Sequence, residues 1–341
     1  MTTAMILAAG LGTRLGALSQ ELPKPLLPVV DVPLIRYPIA LLVGHGIRDI
    51  VINLHHLGQL IEETLGDGES SGARISYSPE ARILGTGGGI RHALPRLGSG
   101  NEPFVVINGK VVVDLDLDEV LAAHRASGAL ATLVVRPEPH AERWGAIDAP
   151  EGGGLIRGLL RQGSFMFTGI HVLEPSLVAR FPDDGQARCI VRDGYVPWLA
   201  AGIPLNAYVA RGYFMEHSTP GRYLAGNIKV LRGEAQVGAV GAPIGAPGAV
   251  GRRGPCPRSW VHPTATIDAS ATVVPPSWIG AGARIDAGAL VGPDVVIGSD
   301  ACVAAGVAVA GTVVWRGATV RTSVSGAIVT ASQVLPMALA E

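Results

Sequence analysis

The sequence predicts an α/β domain built on a mainly parallel sheet with helices on both faces, followed by a short parallel β-helix. Three observations carry that expectation. Short apolar runs alternate with helix-spaced segments up to residue 232, and beyond residue 258 an aliphatic residue recurs at every sixth position. Between them lies a Gly/Ala/Pro-rich stretch with little periodicity. At about 100–200 residues per domain, a chain of 341 residues also suggests two domains.

The first element is Ala4–Ala9, a short apolar run ending at Gly10, which reads as a buried strand entering a turn. Leu34–His45 has helical apolar spacing, and Asp49–Asn53 is a second short strand. Leu57–Leu65 reads as helix, Arg74–Tyr77 as strand, and Gly87–Leu97 as a helix opened by glycine. Phe104–Asn108 is another buried strand and Leu117–Ser127 another helix, with Ala131–Arg136 and Phe167–Val172 continuing the strands. Strands alternating with helices at this spacing form βαβ units, so the sheet is covered on both faces. The expected domain limits are 1–232 for this part, 233–258 for a connector, 259–320 for the repeats and 321–341 for a tail.

Val261, Ile267, Val273, Ile279, Ile285, Val291, Ile297, Val303 and Val309 keep a six-residue register without a miss. A small residue stands two positions before most of them, as at Ala265, Ala271, Ser277, Ala283, Ala289 and Ala301. Neither a 3.6-residue helix nor an unconstrained strand holds that register; a hexapeptide repeat is the mark of a parallel β-helix. Three hexads make one triangular coil with the aliphatic side chain pointing inward, and the register weakens near Trp315–Arg321.

Bulk composition excludes several function classes. The chain holds 46 Gly and 25 Pro, about a fifth of its residues against roughly an eighth in ordinary proteins, yet 48% of it is hydrophobic. Disordered chains are poor in apolar residues, so this one folds. A net charge of −1 leaves no general footprint for nucleic acid or anionic lipid. Cys189, Cys256 and Cys302 are far apart and lack metal-site spacing, which fits a reducing cytoplasm. The start lacks a basic signal-peptide region, and the uncharged stretches 236–251 and 322–340 are interrupted by Gly, Pro or polar residues. No membrane partner is expected.

After the first strand comes LAAGLGTRLGALSQELPKPLLPV, Leu7 to Val29. Gly10, Gly12 and the Thr13 hydroxyl stand where a strand ends, so the backbone can turn tightly and aim N–H groups at an anion. Arg14 and Lys24 add two cations. No Walker A loop is present, and the dinucleotide fingerprint fails at Leu15. Taken singly, such glycines also occur as ordinary turn residues.

The whole string closely resembles the N-terminal signature of the sugar-1-phosphate nucleotidyltransferases. The resemblance continues through Ile83–Ile90 (ILGTGGGI), Val106–Gly109 (VING), Phe167–Pro175 (FTGIHVLEP), Ile190–Tyr195 (IVRDGY) and Thr219–Tyr223 (TPGRY). It implies a Rossmann-like nucleotidyltransferase domain over residues 4–232. With the repeats behind it, read as a left-handed parallel β-helix, the chain resembles the two-domain mannose-1-phosphate guanylyltransferases. Parts of Ile52–Ile90 are also similar to the N-acetylmuramate-1-phosphate uridylyltransferases.

The resemblance implies that a nucleoside triphosphate and a sugar 1-phosphate give an NDP-sugar and pyrophosphate. GTP with mannose 1-phosphate is the first expectation and UTP the second. It places Arg14 and Lys24 in catalytic roles. Ala8, Ala9, Gly10, Gly12, Thr13, Gly85, Thr86, Gly87, Gly88, Asn108 and Gly109 join them at the nucleotide. Trp144, Gly145, Arg161, Thr168 and Gly169 line the sugar.

The family pattern breaks at its two Mg²⁺ carboxylates. Lys110 stands at the Asp of the NGD motif, and Phe214, Glu216 and Ser218 replace the Trp, Asp and Gly of the WxDxGTP motif. A glutamate is chemically tolerable there. A lysine is not, since an ammonium has no lone pair for a metal and repels it. Arg161 and Gln162 replace the family's Glu and Lys in the sugar-contacting segment.

Three readings follow: a slow enzyme in which the ammonium partly replaces the metal charge, a binder of nucleotide sugar acting as a regulatory or scaffolding subunit, or a metal site re-formed on a residue such as Asp114. The repeats carry only His262, a surface residue, so an acyltransferase role is disfavoured and oligomerisation or allosteric control is expected of them. His217 beside Glu216 is a weak candidate for a metal contact.

Overall fold

A computed structural model describes residues 2–97, 102–235, 252–253 and 259–337. Most of the expected connector 233–258, the last residues of the tail and Cys256 lie outside the described residues. The chain divides into two compact units: residues 1–11, 23–25 and 38–214, and residues 12–22, 26–37 and 215–341.

The first unit is the expected α/β architecture. Its main strands are β1 (Ala4–Leu7), β2 (Asp49–Leu54), β3 (Arg74–Pro79), β4 (Phe104–Asn108), β5 (Ala131–Pro137), β6 (Gly154–Leu155), β7 (Phe165–Leu173) and β8 (Leu205–Val209). Their spatial order is β6-β8-β5-β7-β4-β1-β2-β3. β1 pairs in parallel with both β2 and β4, and β2 with β3, while β7 runs antiparallel between β4 and β5. Both faces of the central strands are buried, which is why β1 and β4 read as unbroken apolar runs rather than alternating ones; Met5, Ile6, Val105 and Val106 are all at 0% exposure.

Helix ends follow local chemistry. The helix Leu117–Ser127 begins at Asp116, whose carboxylate accepts from Asp118 N and Glu119 N, and stops at Gly128 in the left-handed conformation. Asp116 is thus a helix cap. The expected helix 87–97 is Gly85–Ala93, tightening to a 3₁₀ turn over Leu94–Arg96 where Pro95 removes a donor.

In the second unit the repeats form three stacks of short parallel strands, consistent with the left-handed β-helix expected from the hexads. The nine hexad residues stack as predicted, Val261 on Ile279 and Ile297, Ile267 on Ile285 and Val303, and Val273 on Val291 and Val309, and the columns continue through Val314 and Val329, through Val320, and through Val324. The stacks run on past Val320, beyond the point where the hexad register is lost. The later coils are shorter, with Val309 pairing Val324 and Val314 pairing Val329, and Val334–Pro336 returns antiparallel to Ala327–Val329. A fixed six-residue period cannot see coils that shed residues at their corners.

One face of the β-helix has apolar residues pointing outward, namely Trp278, Val296, Val313 and Ile328, and all are buried. The helix Pro220–Leu231 covers strands Val295–Ile297 and Ala327–Val329, with Trp315 Nε1 donating to the Tyr223 hydroxyl at 3.0 Å.

Candidate active site

Parallel sheets present their ligand crevice at the carboxyl ends of the strands, where the strand order reverses. Here the reversal lies at β1, with β2–β3 to one side and β4 to the other. A cleft of about 180 Å³ opens there. Its lining comes from the ends of four parallel strands: Leu7–Gly10 after β1, Asn53 in β2, Glu80 after β3, and Asn108–Lys110 after β4. Lys24, Pro25, Ile83, Gly85 and Thr86 complete it.

Of the expected nucleotide-binding residues, Ala8, Ala9, Gly10, Lys24, Gly85, Thr86, Asn108 and Gly109 therefore share one cleft, together with Lys110. Gly87 and Gly88 belong to the helix Gly85–Ala93 and serve its packing. Their N–H groups donate to Arg188 O, and a Cβ on Gly88 would sit 2.8 Å from Gln186 O. Gly85 has φ +68 with Arg188 O 2.6 Å from its Cβ position, so no other residue fits there. Thr86 Oγ1 accepts from Ile190 N at 2.9 Å.

Gly12, Thr13 and Arg14 fall in the second unit. Gly12 is left-handed, with φ 70, and opens the 3₁₀ turn Thr13–Leu15. Arg14 Nη2 lies 3.6 Å from Glu216 Oε1. His217 beside it is fully buried, edge-on to the Tyr223 ring, and its imidazole fills the space a side chain at Gly226 would need. That is a packing environment.

The expected sugar-side residues lie in the first unit, none of them among the cleft-lining residues. Trp144 and Arg161 are both exposed; the two segments meet where Leu160 N donates to Ala146 O at 2.7 Å, with Leu160 also against Gly145. Thr168 is buried and donates to Val134 O at 2.7 Å. It precedes a bulge in β7 where Gly169 has φ +79, and a side chain at Gly169 would overlap the Asn108 amide. Gly169 thus leaves room for a residue that lines the cleft.

Two lining residues, Asn53 and Glu80, carry no role in the motifs of the sequence. They form a buried chain: Ala8 N donates to Asn53 Oδ1 at 2.7 Å, Asn53 Nδ2 to Glu80 Oε1 at 2.7 Å, and Leu84 N to Glu80 Oε2 at 2.9 Å. This ties the end of β1 to β2 and to the start of the 85–93 helix. A signal for them does exist in the sequence, in that a polar side chain ends each of two strand runs.

The cleft's charge balance is cationic. Lys24 and Lys110 bring two ammonium groups, while both oxygens of the one lining carboxylate, Glu80, are taken by N–H donors. These residues suit an anion. Among the described residues a different group, His45, Asp116 and Asp118, brings three donor atoms within 4.8 Å of one another. It is not part of the cleft lining, and Asp116 Oδ1 there is already the helix cap. Asp114, the expected substitute, is likewise not a lining residue.

Elsewhere in the first unit, His171 is fully buried against Tyr195 and hydrogen-bonded to its hydroxyl. Burial lowers the imidazole's pKa to about 3 and lifts the Tyr195 phenol well above its ordinary value. No helix among the described residues is long and apolar enough to cross a membrane.

Residues 3–160 match the nucleotidyl transferase family model, and residues 276–311 match the bacterial transferase hexapeptide (six repeats) model. An N-acetylmuramate alpha-1-phosphate uridylyltransferase of Neisseria meningitidis is 51% identical over 114 residues, covering 33% of this chain and 48% of that protein. A mannose-1-phosphate guanylyltransferase of Mycobacterium tuberculosis is 27% identical over 276 residues, 80% of this chain and 73% of that one. The chain spans about half to three-fifths of the length of the first curated relatives it matches. A UDP-glucose pyrophosphorylase structure from Acinetobacter baumannii shares the fold at TM-score 0.59 and 19% identity, over 70% of this chain and 96% of that one.

Proposed function

From the match of residues 3–160 to the nucleotidyl transferase family, we propose that this chain is a sugar-1-phosphate nucleotidyltransferase whose turnover is slowed by Lys110. The reaction joins a sugar 1-phosphate oxygen to the α-phosphorus of a nucleoside triphosphate and breaks the α–β bridge, giving an NDP-sugar and pyrophosphate. GTP with mannose 1-phosphate is the first substrate pair and UTP the second; the relatives named above as guanylyl- and uridylyltransferases supply both bases.

One observation carries the reading. A cationic cleft lies at the carboxyl ends of four parallel strands, with Lys24, Lys110 and the turn after β1 around it. Backbone N–H groups and Lys24 would hold the triphosphate, and catalysis of this kind is positioning plus charge stabilisation. Trp144, Gly145, Arg161, Thr168 and Gly169 remain the proposed sugar side. In the nucleotidyltransferases Mg²⁺ supplies the remaining counter-charge, and the position of its first carboxylate is Lys110 here. The second, Glu216, is engaged by Arg14. Loss of one preorganised charge costs about 10²–10³ in rate.

The same two facts favour a second reading, in which the chain binds nucleotide sugar as a regulatory or scaffolding subunit without turnover. Pyrophosphate release from each of the four triphosphates with mannose 1-phosphate decides between them. Release with one base establishes the transferase. No release with any pair, alongside micromolar binding of GDP- or UDP-sugar, establishes the binder. Lys110→Asp is expected to raise Mg²⁺-dependent turnover, and an unchanged rate would sink the account of Lys110. Assembly of copies through the β-helix is part of the proposal, checked by sedimentation of the full chain.

A further inference from the structure

Residues 12–22, 26–37 and 215–341 form one compact unit, so the segment that carries Gly12, Thr13 and Arg14 is packed with the last coils of the β-helix. The contact is specific. Glu21 ends the short helix Leu18–Glu21, and its Oε1 accepts three hydrogen bonds from a single turn near the other end of the chain. Thr330 Oγ1 donates at 2.8 Å, Ser332 Oγ at 2.6 Å and Gln333 Nε2 at 2.9 Å. The donor turn is itself tied: Thr330 N donates to Gln333 O at 2.9 Å, and Ser332 N and Gln333 N reach Thr330 Oγ1 at 3.3 and 3.2 Å.

Between Glu21 and Arg14 the backbone is an unbroken relay of turns. Leu15 N bonds Gly12 O, Gly16 N bonds Thr13 O, Ser19 N bonds Gly16 O, Gln20 N bonds Ala17 O, and Leu22 N bonds Leu18 O. A constraint on Glu21 is therefore passed to Thr13 and Arg14 with little slack. A second anchor holds the hairpin that follows. Asp31, at its left-handed turn, accepts from Ser299 N and from Ser299 Oγ at 2.7 Å, against Gly280, where a Cβ would lie 2.7 Å from Asp31 Oδ2.

We propose that the Thr330–Gln333 turn at the end of the β-helix is a positioning element for the Gly12–Glu21 loop, with Glu21 as the residue it grips, and that it thereby sets nucleotide affinity. The β-helix then serves the transferase within one chain, whatever its part in assembly. The effect on affinity rests on the proposed reading of Gly12, Thr13 and Arg14 as phosphate-binding residues. The grip itself does not.

The full-length chain tests it in two variants that approach the contact from opposite sides, Glu21→Ala and the pair Ser332→Ala with Gln333→Ala. Amide hydrogen exchange over residues 15–22 reads the order of the loop. Equilibrium titration with GTP and UTP reads affinity. Both variants are expected to speed exchange of the Gly16, Ser19, Gln20 and Leu22 amides by about tenfold or more, the worth of one hydrogen bond to a charged group. Both are also expected to weaken the better-bound nucleotide by a similar factor, with amides of β1 and β4 unchanged. Glu21→Gln keeps one acceptor oxygen and falls between. Unchanged exchange in both variants overturns the proposal, as does faster exchange with undiminished affinity in a chain whose parent binds nucleotide. A parent chain that binds neither nucleotide defeats the function proposed above, and the exchange arm still decides the grip.

Discussion

Replacing Glu80 by glutamine changes one atom at the floor of the cleft, and the structure sets its cost by counting donors and acceptors. Glu80 is 5% exposed and Asn53 3%. Three donors meet three acceptors: Ala8 N–H on Asn53 Oδ1, Asn53 Nδ2 on Glu80 Oε1, and Leu84 N–H on Glu80 Oε2. A glutamine trades one acceptor for an NH₂. Whichever way its amide faces, an N–H points at Leu84 N–H or at Asn53 Nδ2. Flipping Asn53 in response only moves the conflict to Ala8 N–H.

One buried donor is thus orphaned in every arrangement, at about 1–3 kcal/mol, and two charge-assisted bonds become neutral ones. The expected loss is about 2–3 kcal/mol. Asn53→Ala orphans both Ala8 N–H and Glu80 Oε1 and should cost about twice as much. The double variant should fall well short of the sum, because the two residues share a bond. Urea unfolding followed by far-UV circular dichroism measures all three, with the exposed Glu69→Gln as a control expected within about 0.5 kcal/mol of the parent. A Glu80→Gln protein as stable as that control would refute the reasoning, since water would then be reaching a carboxylate whose low exposure says it is sealed off.

Other expectations are simpler. Gly89→Ala would bring a Cβ to 2.6 Å from Glu80 Oε1 and should reproduce much of the Glu80→Gln loss in the same unfolding assay. His171 stays neutral in the native chain because burial holds its pKa near 3, while the unfolded imidazole protonates near its ordinary 6.5. Its stabilising term is complete above pH 6.5 and declines by about 1.4 kcal/mol per pH unit as pH falls toward 3. His171→Gln should flatten that slope relative to the parent, and parallel pH–stability curves would contradict it. In the β-helix, Ile297→Ala empties a fully buried inward position and should cost about 2–5 kcal/mol, whereas Leu290→Ala, 42% exposed and outward, should cost under about 1 kcal/mol by thermal unfolding.

How far the sequence reaches depends on the range of the physics behind each feature. The parallel strands are legible because burial on both faces writes itself as contiguous apolar residues, as in Phe104–Asn108. The hexads are legible because each inward residue must stack on the next coil. Lys110 could be placed at the cleft from its resemblance to a motif position, and the carboxyl end of a parallel strand is where the chain meets a ligand. Asn53 and Glu80 escaped because their meaning lies in each other, at a separation of 27 residues. The continuation of the coils past Val320 escaped because stacking requires only that inward residues align. A coil can lose residues at its corners and still bring Val324 over Val309.

The Glu21 contact was least visible of all, and the reason bears on what the β-helix is for. In sequence, Glu21 is one acidic residue inside a string that resembles the nucleotidyltransferase signature, and Thr330–Gln333 is a plain polar turn in a region expected to be tail. Neither residue type at either place announces a partner. Yet a carboxylate taken from water is stabilised only if its lone pairs are met. Burial alone would lift Glu21, and the hydrogen bonds from Ser332, Gln333 and Thr330 outweigh it and leave the carboxyl below its ordinary pKa. Three donors from one turn on a single oxygen separate a built anchor from an incidental contact. A prism that served only to bring copies together would gain nothing by presenting three donors to one oxygen of its own chain's signature loop. A prism that must hold that loop would need such a turn at the coil nearest to it, and there Thr330, Ser332 and Gln333 stand.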